Sequence, residues 1–261
     1  MEKMNPADPI DFMIYQFHDK PLSLVGAKAA VDVHPDFAKF MLDRSEQVFP
    51  NKSNFHALHE RQDMFAHDAT DAFWYATTVG GKVSDAILKA MAKSPYQSVA
   101  YGMFTGERFR EGEETLLNLA WHGNYSNAMR YVENVVEGRW PEFEQMIIKH
   151  NKQQTKNTSH DYRFVWGALP EYAGILYKKN IQISKELMDI IKSYPKTVIL
   201  YTIESGVRHE DLEPVIKADT GYWHEYWDAL YRHTDMPNED VLQLEKQWKA
   251  EFKASARSKE Q

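Results

Sequence analysis

The chain has 261 residues, 43% of them hydrophobic and 13% aromatic, enough to bury a sizeable core as one long domain or two short ones. It contains no cysteine, which excludes structural disulfides, thiol catalysis and cysteine-ligated zinc. A formal net charge of -7 argues against broad binding to phosphate backbones, because that affinity comes from Lys and Arg neutralising phosphates.

The first residues, Met1 to Pro9, lack the basic start and apolar run of a signal peptide, and no stretch approaches the roughly 18 to 20 apolar residues that span a bilayer. A cytoplasmic chain without a membrane partner is expected. Residues 1–50 are expected to form an N-terminal cap, with a helix over Pro35 to Phe49. From Phe55 to Ala76 the pattern predicts one amphipathic helix. On it His56, His59, Asp63, His67 and Asp71 fall within an arc of about 120° at roughly 100° per residue, opposite Leu58, Phe65 and Phe73. Neutral imidazole and carboxylate both ligate zinc, manganese or iron, so these five residues are the candidate metal ligands. They lack the His-Glu-x-x-His order of a metalloprotease, and a solvated helix face needs only to be polar. The expectation is therefore no metal and no cofactor, with the ligand set as the alternative. The dipeptide His67-Asp68 invites comparison with metal-dependent phosphohydrolases, which need an earlier His and a later Asp from other helices. His34 and Asp161 are the only loosely suitable partners.

Beyond Val79-Gly80-Gly81-Lys82, which lacks the first Gly and the Lys-Ser/Thr ending of a phosphate-binding loop, the chain becomes self-similar. Gly106 opens a segment with Arg108, Glu111, Glu113 and Leu116. Gly138 opens a second with Arg139, Glu142, Glu144 and Ile147, and Gly206 a third with Arg208, Asp211, Glu213 and Ile216. Each Arg is followed at fixed offsets by an acid, a Glu and an aliphatic residue, the mark of a repeat architecture. Gly ends the preceding helix, Pro141 or Ser84 at the equivalent point suits a helix start, and the acids favour the positive end of the new helix. A group that recurs in every unit reads as a structural pair fastening the turn, since a catalytic group is needed once.

Weaker copies start at Lys82, Gln182 and Pro237, and aromatic, small-residue helices precede the copies over Ala72–Val79, Tyr96–Thr105, Ser126–Glu137, Tyr162–Lys179, Lys196–Ser205 and Gly221–His233. The β-like run Thr197 to Ile203 falls in helical register and is expected to be a buried helix. Lys149 to Lys156 is basic and polar and is expected to be a solvated loop. Pro237 to Phe252 predicts a capping helix and Lys253 to Gln261 a frayed tail.

Tyr131 followed by Gly138-Arg139-Trp140-Pro141-Glu142-Phe143-Glu144 and Ile147 resembles the short helical tandem repeats of uncharacterised proteins of tailed bacteriophages. The resemblance is specific over residues 98–148, weaker over 195–232 and absent from the first 50. It implies a phage origin, a host-cytoplasm location and an α-helical array, and it brings no reaction and no site residues with it.

Nucleophilic catalysis has no support, for there is no Gly-x-Ser-x-Gly elbow and no thiol. Trp223, Trp227, Leu230 and Tyr231 have core spacing, while Tyr222 and Tyr226 lie on the adjoining stripe and, with Trp74, are the candidate binding residues. The expected architecture is all-α: an irregular array of stacked helical hairpins over residues 51–236, with caps over 1–50 and 237–261. Such an array presents long surfaces, so the expected function is binding a protein, with the resemblance pointing to one of the phage host, for example to blunt a defence. A structural homo-oligomer and a metal-dependent hydrolase are the alternatives, and nucleic acid is not an expected partner.

Overall fold

A computed structural model describes residues 62–78, 82–154 and 167–259. Among the described residues there is no strand, and twelve α-helices account for most of them: α1 (Ala69–Thr78), α2 (Asp85–Ala92), α3 (Pro95–Thr105), α4 (Arg110–Trp121), α5 (Ser126–Asn134), α6 (Pro141–Gln154), α7 (Leu169–Lys178), α8 (Lys185–Lys192), α9 (Pro195–Ser205), α10 (Glu213–Lys217), α11 (Trp223–His233) and α12 (Asn238–Lys259). Short 3-10 turns occupy Gln62–His67, Glu210–Leu212 and Thr220–Tyr222. The expected N-terminal cap over 1–50, together with His34, His56, His59 and Asp161, lies outside the described residues.

The chain divides into two compact units. One holds the residues up to Phe104 together with Phe109–Glu113, and the other holds Thr105–Arg108 and the residues from Glu114 onward. In the first unit α2 starts where the sequence signals a start. Ser84 is extended, its Oγ accepts from the Ile87 N–H, and its own N–H donates to Gln62 Oε1 at 2.6 Å. Ser84 Oγ also donates to Asp63 Oδ1 at 2.7 Å, so one residue caps α2 and ties it to the preceding 3-10 turn. Phe65 stacks on Tyr75 with ring centroids 5.0 Å apart, and Ala72, Ile87 and Met91 close a core from which water is excluded.

In the second unit α5, α7, α9 and α11 pack one against the next in succession, while α6 packs on α8, and α10 bridges α9 and α11. The α7–α9 contact is the most extensive, and its closeness is set by Gly174. A Cβ there would lie 2.8 Å from the backbone carbonyl carbon of Glu204, so any other residue would force the helices apart. Gly206 ends α9 in the left-handed region, φ 77°, where its missing Cβ removes the steric penalty. At the other end of α5, Lys179 Nζ donates to the Val132 and Val136 carbonyls at 2.7 and 2.8 Å and satisfies groups that the helix leaves open. Burial lowers the Lys179 pKa, against the pull of Glu133 and Glu137.

Three expectations about element boundaries change. The region read as one helix from Phe55 to Ala76 is, over its described part, a 3-10 turn followed by α1, with the break at Asp68. Asp68 Oδ1 accepts the N–H groups of Thr70 and Asp71, so its side chain starts a new helix. The residues Lys149 to Gln154, read as a loop, continue α6, because Ile147 and Ile148 bury its inner face and the polar residues occupy the outer one. The tail read as frayed is helical to Lys259.

Candidate functional site: the repeated Arg-Glu pairs and the surfaces around them

The repeated pair is built into the entry of the following helix, and the structure adds a third member. Arg139 Nε donates to Glu144 Oε1 at 2.8 Å, and its Nη2 contacts Glu144 Oε2. The Glu144 side chain is only 3% exposed. Tyr172, from the middle of α7, donates its hydroxyl to the same Oε1 at 3.0 Å and accepts the Trp140 backbone N–H at 2.9 Å. The later copy repeats this arrangement: Arg208 Nε donates to Glu213 Oε1 at 2.6 Å, and the Tyr226 hydroxyl donates to that oxygen at 3.1 Å. Burial raises the pKa of both tyrosines first, and the neighbouring Glu raises it further, so each phenol keeps its proton. The hydrogen bonds that the two arginines donate to Glu144 and Glu213 raise the arginine pKa values. The result is a permanently charged donor, a buried carboxylate and a neutral phenol, locked together at the start of one helix by a residue of a later one. Chemically it is a clamp, in which the arginine and the phenol both donate to one buried carboxylate.

The copy at Gly106 carries further ion pairs. There Arg110 Nη1 reaches Glu113 Oε2 at 3.3 Å, while Arg108 Nη2 reaches Glu142 Oε2 at 3.5 Å. The acid after Arg208 also differs in role, with Asp211 facing Lys192 at 3.8 Å and Glu210 taking the bond from Arg208 Nη1 at 3.0 Å.

Of the candidate binding residues, Tyr226 is buried and engaged by Glu213, because the α11 stripe read as exposed faces the clamp. Tyr222 is half-buried in its 3-10 turn, and Trp74 is half-buried with its ring 5.9 Å from Phe65. Trp74 belongs to one unit and Tyr222 to the other. Of the His and Asp series, Asp63 takes the Ser84 hydroxyl, while His67 and Asp71 come together with Asp68, which was not among the five.

Sequence reasoning missed two further features. Tyr96, Met103 and Phe104 of α3 are 59%, 42% and 59% exposed, and their i, i+7, i+8 spacing puts them on one side of the helix. The signal was present in the sequence, but α3 is apolar nearly all round and its outward stripe does not stand out. In the second unit, His209 stacks on Tyr201 at 4.3 Å and meets Tyr177 edge-on at 5.4 Å, and its Nε2 lies 2.8 Å from Ser205 Oγ. Burial pushes the His209 pKa down while Asp211 pulls it up. Ser205 is buried and also reaches the Thr202 carbonyl, so this pair supports the turn after α9 and does not present a nucleophile. No helix among the described residues is long and apolar enough to cross a membrane. No protein-family model, curated protein or solved structure matches this chain.

Proposed function

We propose that the chain is a non-enzymatic helical-repeat protein that binds another protein. The observation that carries this reading is that the charged residues which recur along the sequence are engaged internally, in the Arg139-Glu144-Tyr172 and Arg208-Glu213-Tyr226 clamps. The succession of α5, α7, α9 and α11, each packed on the next, supports an array in which neighbouring hairpins complete one another's cores. On the surface, Tyr96, Met103 and Phe104 supply large apolar groups of the kind that mark protein contacts. The resemblance to phage repeats makes a host protein the partner to seek. The test is cross-linking capture from host lysate with wild-type protein and with a Tyr96→Ser, Phe104→Ser variant of unchanged melting temperature. The reading expects one partner recovered by wild-type and lost by the variant. Equal recovery by both would move the contact off α3, and a light-scattering mass of two or more chains would favour self-association instead.

A further inference from the structure

With no cysteine anywhere in the chain, its readily oxidised sulfur sits entirely in 11 methionines. Oxidants reach sulfur from solvent, so susceptibility follows exposure. Among the methionines whose side chains are described, Met91, Met129 and Met146 are 0%, 2% and 9% exposed, and Met188 and Met236 are half-buried. Met103 stands apart from them at 42%.

Its position gives that exposure a consequence. Met103 lies near the end of α3, next to Phe104 and seven residues after Tyr96, on the side of the helix where all three are exposed. Among the described α-helices, α3 is the one without a charged residue. The polarity of its outer side is therefore set by what Tyr96, Met103 and Phe104 present. A thioether is apolar, unbranched and polarizable, and it adapts to whatever apolar group meets it. A sulfoxide is polar and chiral, and its oxygen must keep its water or find a donor. No Lys or Arg of α3 can supply one.

We propose that Met103 is a reversible oxidation site, and that its conversion to the sulfoxide turns the apolar side of α3 polar and weakens the contact made there. The oxidant is a hydroperoxide. The sulfur lone pair attacks one peroxide oxygen, an S–O bond forms as the O–O bond breaks, and sulfur is oxidised by two electrons. The leaving oxygen takes up the proton of the transferred hydroxyl and departs as water or an alcohol. Reduction needs two thiol equivalents, delivered through methionine sulfoxide reductases of both epimer specificities, and returns the thioether, a disulfide and water. The chain has no thiol of its own, so the reductant comes from outside. As a control on binding the site rests on the protein-binding reading, whereas the oxidation itself does not.

The test treats full-length protein with dilute hydrogen peroxide and follows each methionine by peptide mapping. Met103 should convert at least about tenfold faster than Met91 and Met129, because burial protects those two. At the point where Met103 is converted and both of these are intact, the melting temperature should be unchanged and the protein should elute earlier from a phenyl hydrophobic-interaction column. The two reductases with dithiothreitol should restore the original elution. Met103→Leu, treated for the same time, should shift much less, since oxidation of methionines elsewhere is common to both proteins. Conversion of Met103 no faster than Met91 would overturn the proposal, and so would an equal elution shift in wild-type and Met103→Leu. Recovery of the same host partner by untreated and Met103-oxidised protein would overturn it as a control on binding. Failure of the protein-binding reading has a different signature, for untreated protein would then recover no partner while the mapping and elution results stand as described.

Discussion

A carboxylate withdrawn from water must be met by donors, and Glu144 is met by the Arg139 guanidinium and the Tyr172 hydroxyl. Removing the arginine strands the carboxylate, so Arg139→Ala should destabilise the protein by about 2 to 4 kcal/mol in urea unfolding, more than an exposed ion pair would. A change below about 0.5 kcal/mol would mean that solvent reaches Glu144 in the folded state. The two tyrosines separate the contributions within the clamp. Tyr226→Phe removes one bond to Glu213, whereas Tyr172→Phe also leaves the buried Trp140 N–H without its acceptor. The expected losses are about 1 to 2 kcal/mol for Tyr226→Phe and about 2 to 3 kcal/mol for Tyr172→Phe. The reverse order would place the clamp's strength in the Arg-Glu pair alone. His209 gives the residue scale its pH dependence. Its folded pKa lies below the ordinary 6.5, so the unfolded chain takes up the proton more readily. The stability it contributes is complete above about pH 6.5 and is lost as pH falls through the folded value. Melting temperatures measured between about pH 7.5 and pH 5.5 should fall less steeply for His209→Gln than for wild-type.

Between elements, the α7–α9 crossing combines a close backbone approach with crowded charge. Gly174 lets the helices meet, and Glu171 of α7 stands near Glu204 of α9 and Glu133 of α5. Burial first, and then these two neighbours, raises the Glu171 pKa. A raised carboxyl favours the fold while protonated, and that contribution is lost as pH rises from 4.5 through the folded value. Glu171→Gln should therefore raise the melting temperature at neutral pH, and the gain should vanish near pH 4. A gain of equal size at both values would assign the effect to packing. The helices themselves were largely legible. Ser84 and Pro141 mark starts for reasons of capping and fixed φ, and the run Thr197 to Ile203, alternative strand and helix on composition, is the middle of α9. The Arg-to-Glu half of the clamp was legible for the same reason, being local and repeated. Its tyrosine was not: it lies 28 residues beyond Glu144 in one copy and 13 beyond Glu213 in the other, a separation set by intervening elements of different length. The break at Asp68 was obscured because the apolar pattern from Phe65 to Ala76 continues through it, and only the side chain's bonds to two amides reveal the new start.

Across the whole molecule, the two clamps raise the question of how far a local change is felt. Trp248 of α12 is fully buried, stacks on Tyr226 at 5.6 Å and meets Trp227 edge-on at 4.7 Å. Lys217 sits 4.7 Å over its ring and bridges Glu251 at 3.0 Å, so α12 is fastened to both α10 and α11. Tyr226 in turn holds Glu213, which makes its ring one route from the C-terminal helix to the clamp at Arg208. The other clamp, at Arg139, draws on α6 and α7. If the helices form the proposed array, whose stability would be a sum of unit and nearest-neighbour contributions, a defect spreads to adjoining helices and fades beyond them. Trp248→Ala removes a large buried ring at a cost of about 3 to 5 kcal/mol, a loss that must appear somewhere in the pattern of local opening. Native-state hydrogen exchange should show faster exchange in α10, α11 and the turn at Arg208 to Leu212, with a much smaller change in α6 and α7. An equal rise at all of these amides would show that the second unit opens as one cooperative body, and the neighbour-by-neighbour description of the array would have to be abandoned.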